Sequence, residues 1–342
     1  MRSQLLDPAD AQRSAIDVVR HMVVVQAQDA RAARLGVRAR SSGLTSDDVE
    51  RERLEDRSFV RTWLFRGTIH LVAAEDHGWM RELVAPLLIP QAWRRMSQEG
   101  LSRDRAERAA PIVARALRDG PMTRDELREA LARKGIRPRG RQALVHLLWL
   151  MTYRGEVVTG PYAGSKETMV PARDWLPKSP RAPRDPVAEL ALRYLIAHGP
   201  ATLEDFRTWT GLRVGAARAG WSAIGDELEE TTVEGASMWR HRDTPTRMAR
   251  KGLVRLLPAF DAMFLGYRDR SFIGEPDSPL TRGGLFDPFV LADGRAVAGW
   301  KLRRARDTSE VDLQPFGRLA AAVRPGLDRE VADVVRFLRA GA

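Results

Sequence analysis

Apolar residues recur at helical spacing along most of this chain, separated by short stretches that alternate or run apolar like strands. The first helix starts at about Ala11, with Ile16, Val19 and Val23 on one face. Continuing its 3.6-residue period puts Gln26 on that same face. Three later stretches repeat one another. Gly120-Pro121-Met122-Thr123-Arg124-Asp125-Glu126 matches Gly199-Pro200-Ala201-Thr202-Leu203-Glu204-Asp205, and a looser copy lies at Gly43-Leu44-Thr45-Ser46-Asp47-Asp48. The threonines stand 78 and then 79 residues apart, each followed three positions on by Asp or Glu, the spacing of a capping box at a helix N-terminus.

An amphipathic helix precedes each of the second and third phrases: Ile112, Val113, Ala116 and Leu117 form the apolar face of one, Val187, Leu190, Ala191, Tyr194 and Leu195 of the other. After the second phrase come a helix with Leu144, Leu147, Leu148 and Met151 on one face and strands at 156–159 and 168–170 around a Gly-Pro turn. After the third come a helix over 221–230 and strands at 228–233 and 238–240 around Gly235. In the first copy, residues 59–64 supply the third helix and 68–72 the first strand. Helix, capped helix, helix and hairpin is the order of a winged helix. Beyond residue 253 the pattern becomes strand-rich, at 253–257, 288–291, 295–302 and 310–314, with Ala292-Asp293-Gly294 as a hairpin turn and residues 330–338 as a closing helix. The fold class expected is α+β, predominantly helical, with three tandem winged-helix motifs and a C-terminal β-hairpin region. The segments are 1–105, 106–180 ending in a proline-rich linker, 186–252 and 253–342.

Composition narrows what such a scaffold does. The 342 residues include no cysteine, and the six histidines lack zinc-ligand spacing, so disulfide frameworks and thiolate zinc sites are excluded and no metal or cofactor is expected. No apolar run is long enough to span a bilayer, which points to a cytoplasmic protein away from membranes. The net charge of +11 points to an anionic partner, nucleic acid first. The basic residues fall in clusters: Arg31, Arg34, Arg38 and Arg40; Arg137, Arg139 and Arg141; and Lys301, Arg303, Arg304 and Arg306. The third helices are poor readers of base edges, because 143–151 is apolar almost all round and 221–230 turns acidic toward its end.

No GxSxG elbow, Walker loop, HExxH or EF-hand phrase occurs. What remains is Gln26-Ala27-Gln28. On an ideal helix the two amides lie about 200° apart, and in an extended segment they converge on one side. By pattern alone they read as surface or core-satisfied glutamines. The triplet, however, resembles the glutamine, apolar, glutamine motif of the AlkZ-like DNA glycosylases, together with the following Arg31, Ala33, Arg34, Leu35 and Gly36. The resemblance continues at Arg66-Gly67-Thr68-Ile69-His70-Leu71-Val72, at Leu256-Leu257-Pro258-Ala259-Phe260-Asp261 with Gly266-Tyr267-Arg268-Asp269-Arg270, and at Gly294-Arg295 through Gly299-Trp300.

The resemblance implies tandem winged helices around a concave basic cleft, and release of N7-alkylated purines from double-stranded DNA by a monomer, with interstrand crosslinks among the substrates. It makes Gln26 and Gln28 the catalytic pair. An amide is no general base, so Gln28 would position the attacking water and Gln26 the same water or the damaged nucleotide. No lysine lies near the motif, which favours a monofunctional enzyme over a lyase. DNA contacts are expected from Arg31, Arg34, Arg38, Arg66, Thr68, His70, Arg137, Arg139, Arg141, Arg268, Arg270, Arg295 and Lys301. Two alternatives stay open: a non-catalytic winged-helix protein that binds DNA or sequesters an alkylating drug, and a transcriptional regulator.

Overall fold

The computed structural model describes residues 1–7, 12–137, 140–177, 182–244, 250–274, 281–282, 285–305 and 308–339. The fold is mixed α+β, about half helical, with several small antiparallel sheets. The chain divides into two compact units, Arg53–Pro186 and the discontinuous pair Met1–Glu52 and Val187–Ala342. The first boundary thus falls inside the first of the four segments expected from sequence.

The chain opens with α1 (Ala15–Met22), β1 (Val24–Gln26), α2 (Ala30–Arg38) and α3 (Ser46–Leu54). The expected start at Ala11 lies outside the described residues; α1 instead begins after Ser14, which forms a capping box with Asp17. The Arg53–Pro186 unit holds β2 (Phe59–Trp63), β3 (Ile69–Ala73), α4 (His77–Gln98), α5 (Arg103–Ala116), β4 (Met122–Thr123), α6 (Arg124–Arg133), α7 (Ala143–Tyr153), β5 (Val157–Ala163), β6 (Lys166–Pro171) and α8 (Ala172–Trp175). There follow α9 (Pro186–His198), α10 (Leu203–Thr210), α11 (Val214–Ala223), β7 (Leu228–Val233), β8 (Ala236–His241), β9 (Val254–Leu257) and α12 (Ala262–Leu265). The chain closes with β10 (Thr281–Arg282), β11 (Leu285–Phe286), β12 (Phe289–Ala292), β13 (Arg295–Ala305), β14 (Thr308–Pro315) and α13 (Arg324–Arg339).

The three repeated phrases each start a helix by the same local device. The Thr45, Thr123 and Thr202 hydroxyls accept the backbone N–H of Asp48, Glu126 and Asp205 at 3.2, 3.3 and 3.1 Å, and each carboxylate accepts the threonine N–H at 2.7–2.9 Å. Such caps contribute about 0.5–2 kcal/mol each. In the second copy α5, α6 and α7 precede a sheet of order β4-β6-β5. The third copy repeats the plan with α9, α10, α11 and the β7–β8 hairpin, its short first strand reduced to the bridge Ala201↔Trp239.

Three local expectations fail, each for a tertiary reason. Residues 59–63 form strand β2, paired with β3 from Phe59↔Ala73 to Trp63↔Ile69, and not a third helix. Phe59, Val60, Arg61 and Thr62 are all buried, so both faces of this strand are covered and its apolar residues carry no readable period. The β5–β6 turn lies at Gly164, where φ is 60°, and not at Gly160-Pro161; those two sit inside β5 at a register shift. The third helix of the third copy is α11, so the acidic residues expected on its end fall instead in the following turn and β7. One expectation does agree with the structure: α7 is buried along its length from Leu147 to Tyr153, which leaves that part of it no exposed face for base edges.

The C-terminal strands are where the pattern puts them. β14, β13, β12 and β9 form one antiparallel sheet, and Asp293-Gly294 closes the β12–β13 hairpin with both residues at positive φ. Leu257, Phe289 and Leu291 from its strands pack with Leu6, Ala39, Phe264 and Ile273 into one buried cluster. No helix among the described residues is long and apolar enough to cross a membrane.

Three imidazoles are locked inside as neutral rings. Burial pushes His70 and His198 down to about 3 and His77 to about 4, with Arg66 lowering His70 further and Arg81 lowering His77. Below the unfolded histidine value near 6.5 the unfolded chain takes up protons that the folded chain refuses. Stability is therefore fully present above about pH 6.5 and lost as pH falls toward 4, at about 1.4 kcal/mol per pH unit for each fully shifted ring. Urea unfolding measured from pH 7.5 to 4.5 is expected to show a plateau and then this fall; a flat profile would show that the rings are solvated.

Candidate active site

The segment carrying Gln26 and Gln28 begins at a strained residue. Val23, the C-cap of α1, sits at φ 68° and ψ −53° and donates its N–H to the Arg20 carbonyl at 3.2 Å. A β-branched residue in such a conformation costs of the order of 1–3 kcal/mol and persists only where its surroundings hold it; Val23 is wholly buried. The chain passes from helix to strand there, which ends the helical period that would carry Gln26 round α1. The buried face of α1 is Ala15, Val18, Val19 and Met22, and Gln26 is instead the last residue of β1.

Side chains of an extended segment alternate between its two sides. Burial follows that rule: Gln26 is half-buried, Ala27 is fully buried and Gln28 is exposed. Ala27 anchors the segment inward, with Gln26 closing β1 and Gln28 exposed in the bend that leads into α2. Asp29 then caps α2, its carboxylate accepting the Ala32 N–H at 2.9 Å.

Gln26 lines a narrow recess with Val25, Gly36, Arg40, Phe260 and Asp261. Its volume is about 10 Å³, the scale of a single water molecule. Phe260, like Val23, is held at positive φ, 60°. Asp261 is the only carboxylate on this recess, and it is fully committed. Its oxygens accept both Arg40 guanidinium nitrogens, at 2.8 and 2.7 Å, and the Met263 N–H at 2.8 Å. Arg40 in turn donates to the Gly36 carbonyl at 3.0 Å and the Gln4 amide oxygen at 3.2 Å. Among the described residues lining the recess, the Gln26 amide is able to orient a water, and the one carboxylate is engaged by Arg40.

The expected DNA-contacting residues separate into two groups. Arg31, Arg66, Arg137 and Arg141 are exposed, as are Arg268, Arg295 and Lys301. Arg268 stands 3.4 Å from Glu204 and Arg295 3.7 Å from Glu234, loose surface pairs that leave both guanidiniums accessible. Arg34 pairs with Glu50 at 2.8 Å and is partly exposed, while half-buried Thr68 donates to the Phe65 carbonyl at 3.1 Å. Arg139 and Arg306 lie outside the described residues.

Three expectations are corrected. Arg38 is 2% exposed and donates to Glu330, Asp333 and the Leu256 carbonyl, so it fastens α2 to α13 and β9 from inside. His70 is buried against Phe65 with its Nδ1 3.1 Å from the Thr68 carbonyl, a packing role. Arg270 is half-buried, donates to the Phe264 carbonyl at 2.8 Å and lies over the Phe264 ring. Arg38 and His70 are enclosed by the fold, while Arg270 is held at its Nε and over a ring with part of its surface exposed.

Phrases far apart in sequence meet around the recess. Pro258 to Asp261 closes it against Gln26, and the Trp300 indole donates to the Leu257 carbonyl at 2.8 Å. A family model described as DNA glycosylase AlkZ-like matches residues 19–337. The chain belongs to the AlkZ-like DNA glycosylase family. Among relatives of this AlkZ-like chain is an interstrand DNA cross-link repair glycosylase from Streptomyces sahachiroi, 31% identical over 357 residues that cover 98% of this chain and 94% of that one. The solved structure of the Streptomyces sahachiroi DNA glycosylase AlkZ matches with a TM-score of 0.81 at 28% identity, over 98% of this chain and 94% of the other.

The sequence reading of this AlkZ-like chain did not find the Arg40–Asp261 pair. Asp261 stands in one of the quoted phrases and Arg40 in a basic cluster, but nothing local links two residues 221 positions apart. Tyr267, in the next phrase, is likewise structural: its hydroxyl donates to the His198 carbonyl at 2.6 Å and accepts from Gln4. Asp261→Ala would strand a buried guanidinium, and breaking such pairs costs about 3–5 kcal/mol. The double variant Arg40→Met with Asp261→Leu is expected to recover much of that loss in urea unfolding. A single variant within about 1 kcal/mol of wild type would remove the pair from its place as the anchor of the site.

Proposed function

We propose that this AlkZ-like protein is a monofunctional DNA glycosylase that hydrolyses the N-glycosidic bond of cationic N7-alkylpurines in double-stranded DNA. The observation that carries the reading is the placement of Gln26 on a water-sized recess whose described lining has one carboxylate, bound to Arg40, with Gln28 exposed two residues further on. The family membership and the name of the Streptomyces sahachiroi relative support it and extend it to interstrand crosslinks and bulky adducts joined through N7. In the same reading the repeated helix, helix, helix and hairpin units are winged helices that hold the duplex through exposed arginines.

The chemistry follows from what an amide is able to do. As the C1′–N9 bond breaks, its electron pair leaves with the purine, whose N7 charge is thereby neutralised. Charge develops on the sugar as an oxocarbenium ion. A water oxygen then bonds to C1′, and its proton passes to solvent. The Gln28 carbonyl oxygen accepts from that water and fixes its line of approach, while the Gln26 amide holds the same water or the damaged nucleotide. None of the residues lining the recess is a lysine, so no Schiff base forms there and the reaction stops at the abasic site.

Gln28→Ala is expected to lower single-turnover base release about 100-fold or more with the melting temperature and the affinity for undamaged duplex unchanged. Gln26→Ala is expected to act in the same direction. Wild-type rates in both variants would dismiss the pair.

The second expectation concerns the leaving group. A site without a strong base or acid draws its rate from the substrate, so matched duplexes carrying N7-methylguanine are expected to release base far faster than those carrying uracil or hypoxanthine. No titrating group is assigned to the chemistry, so the rate on the cationic lesion is expected to hold between pH 6 and 8. Equal rates on both lesion types, or an adduct trapped by borohydride, would show that another acid, base or amine operates.

A further inference from the structure

The Arg53–Pro186 unit contains a second and much larger recess that the Gln26–Gln28 chemistry does not use. It opens between α4, the first half of α7 and the β2–β3 turn, and its volume is about 460 Å³, within the range of about 300–1,000 Å³ typical of small-ligand pockets. Three aromatic rings line it: Trp63, His146 and Trp149. The Trp149 indole lies so close beneath the turn that a Cβ on Gly67 would stand 2.5 Å from its ring, so only glycine fits there. His146 and Trp149 stand edge by edge, their centroids 5.7 Å apart. Burial lowers the His146 pKa, which keeps the ring neutral at physiological pH, and its Nδ1 is buried with no hydrogen-bond partner among the described residues.

Charge is placed on the rim. Arg66, held at φ 55°, and Arg95 are both exposed there. The one carboxylate, Glu99, accepts the Gln142 N–H at 3.3 Å, so it is engaged with the first turn of α7. Flat aromatic walls beneath two guanidiniums match a ligand with a planar ring and an anionic group a few bonds away. An apolar ligand would not draw on the positive rim, and a bare phosphate would not draw on the rings. A nucleotide satisfies both, its base stacking on the rings and its phosphate meeting the arginines.

We propose that this recess is a nucleotide-binding site, separate from the Gln26–Gln28 centre, that takes one base and its phosphate. The occupant comes either from a DNA strand or from free nucleotide, and the two sources share this chemistry.

The test is calorimetric titration of the full chain with dGMP, deoxyguanosine, inorganic phosphate and an undamaged single-stranded octamer. Saturable one-site binding of dGMP is expected, with deoxyguanosine and phosphate each at least tenfold weaker. The Arg66→Ala/Arg95→Ala variant is expected to lose at least tenfold in dGMP affinity. Val145→Trp, which fills the recess without changing charge, is the variant for the octamer; if it does not melt as wild type, His146→Ala replaces it. Loss of octamer affinity in the filled variant identifies a strand nucleotide, and loss confined to dGMP identifies free nucleotide. Unchanged affinity for both probes in these variants, or a wild type that binds neither, overturns the site. Base release from N7-methylguanine DNA by the wild type is scored in parallel. Release without recess-dependent binding rejects this inference alone, and recess-dependent binding without release rejects the glycosylase reading alone.

Discussion

The candidate active site hangs on one buried ion pair. Arg40 and Asp261 meet through two hydrogen bonds near 2.7 Å with both side chains almost wholly excluded from water. Neither charge is tolerable there alone, so the end of α2 and the segment leading into α12 are held together wherever the chain is folded. That union presses Pro258 to Asp261 against the segment bearing Gln26 and sets the width of the recess. It also removes Asp261 from chemistry: a carboxylate that binds a guanidinium on both oxygens is poorly placed to take a proton from water. The same interaction builds the site and restricts what it is able to catalyse.

A second network fastens the same C-terminal end of α2. Glu330 of α13 accepts from Arg38, Arg255 and the Leu256 N–H, which ties a helix, a strand and the terminal helix to one carboxylate. Val23, two residues before the recess-lining Val25, and Phe260 on the recess itself are both held at positive φ. Clamps and strain together favour a rigid, preorganised site, as positioning catalysis by amides demands, because an amide contributes only where the water is held in line.

The repeats show how a DNA-binding plan is kept while its usual reading surface is lost. The capping boxes at Thr45, Thr123 and Thr202 recur, yet α7, which in an ordinary winged helix would face a groove, is packed inside its unit. Positive charge is left exposed at Arg66, Arg137, Arg141, Arg268 and Arg295.

What the sequence determined by itself are the features whose cause lies within a few residues. A threonine and a carboxylate three positions apart start a helix, Asp293-Gly294 closes a two-residue hairpin, and the 3.6-residue period marks α5, α9 and α13. The glutamine triplet and its companion phrases also marked the family. Tertiary structure alone decided that Phe59–Trp63 is a strand covered on both faces, that α1 stops at Met22 so that Gln26 ends a strand and not a helical turn, and that Arg38, Arg40 and His70 face inward. The reason is that a capping bond or a turn is satisfied by near neighbours. The direction of a charged side chain depends on whether a carboxylate hundreds of residues away arrives to neutralise it, and only the folded chain brings that carboxylate there.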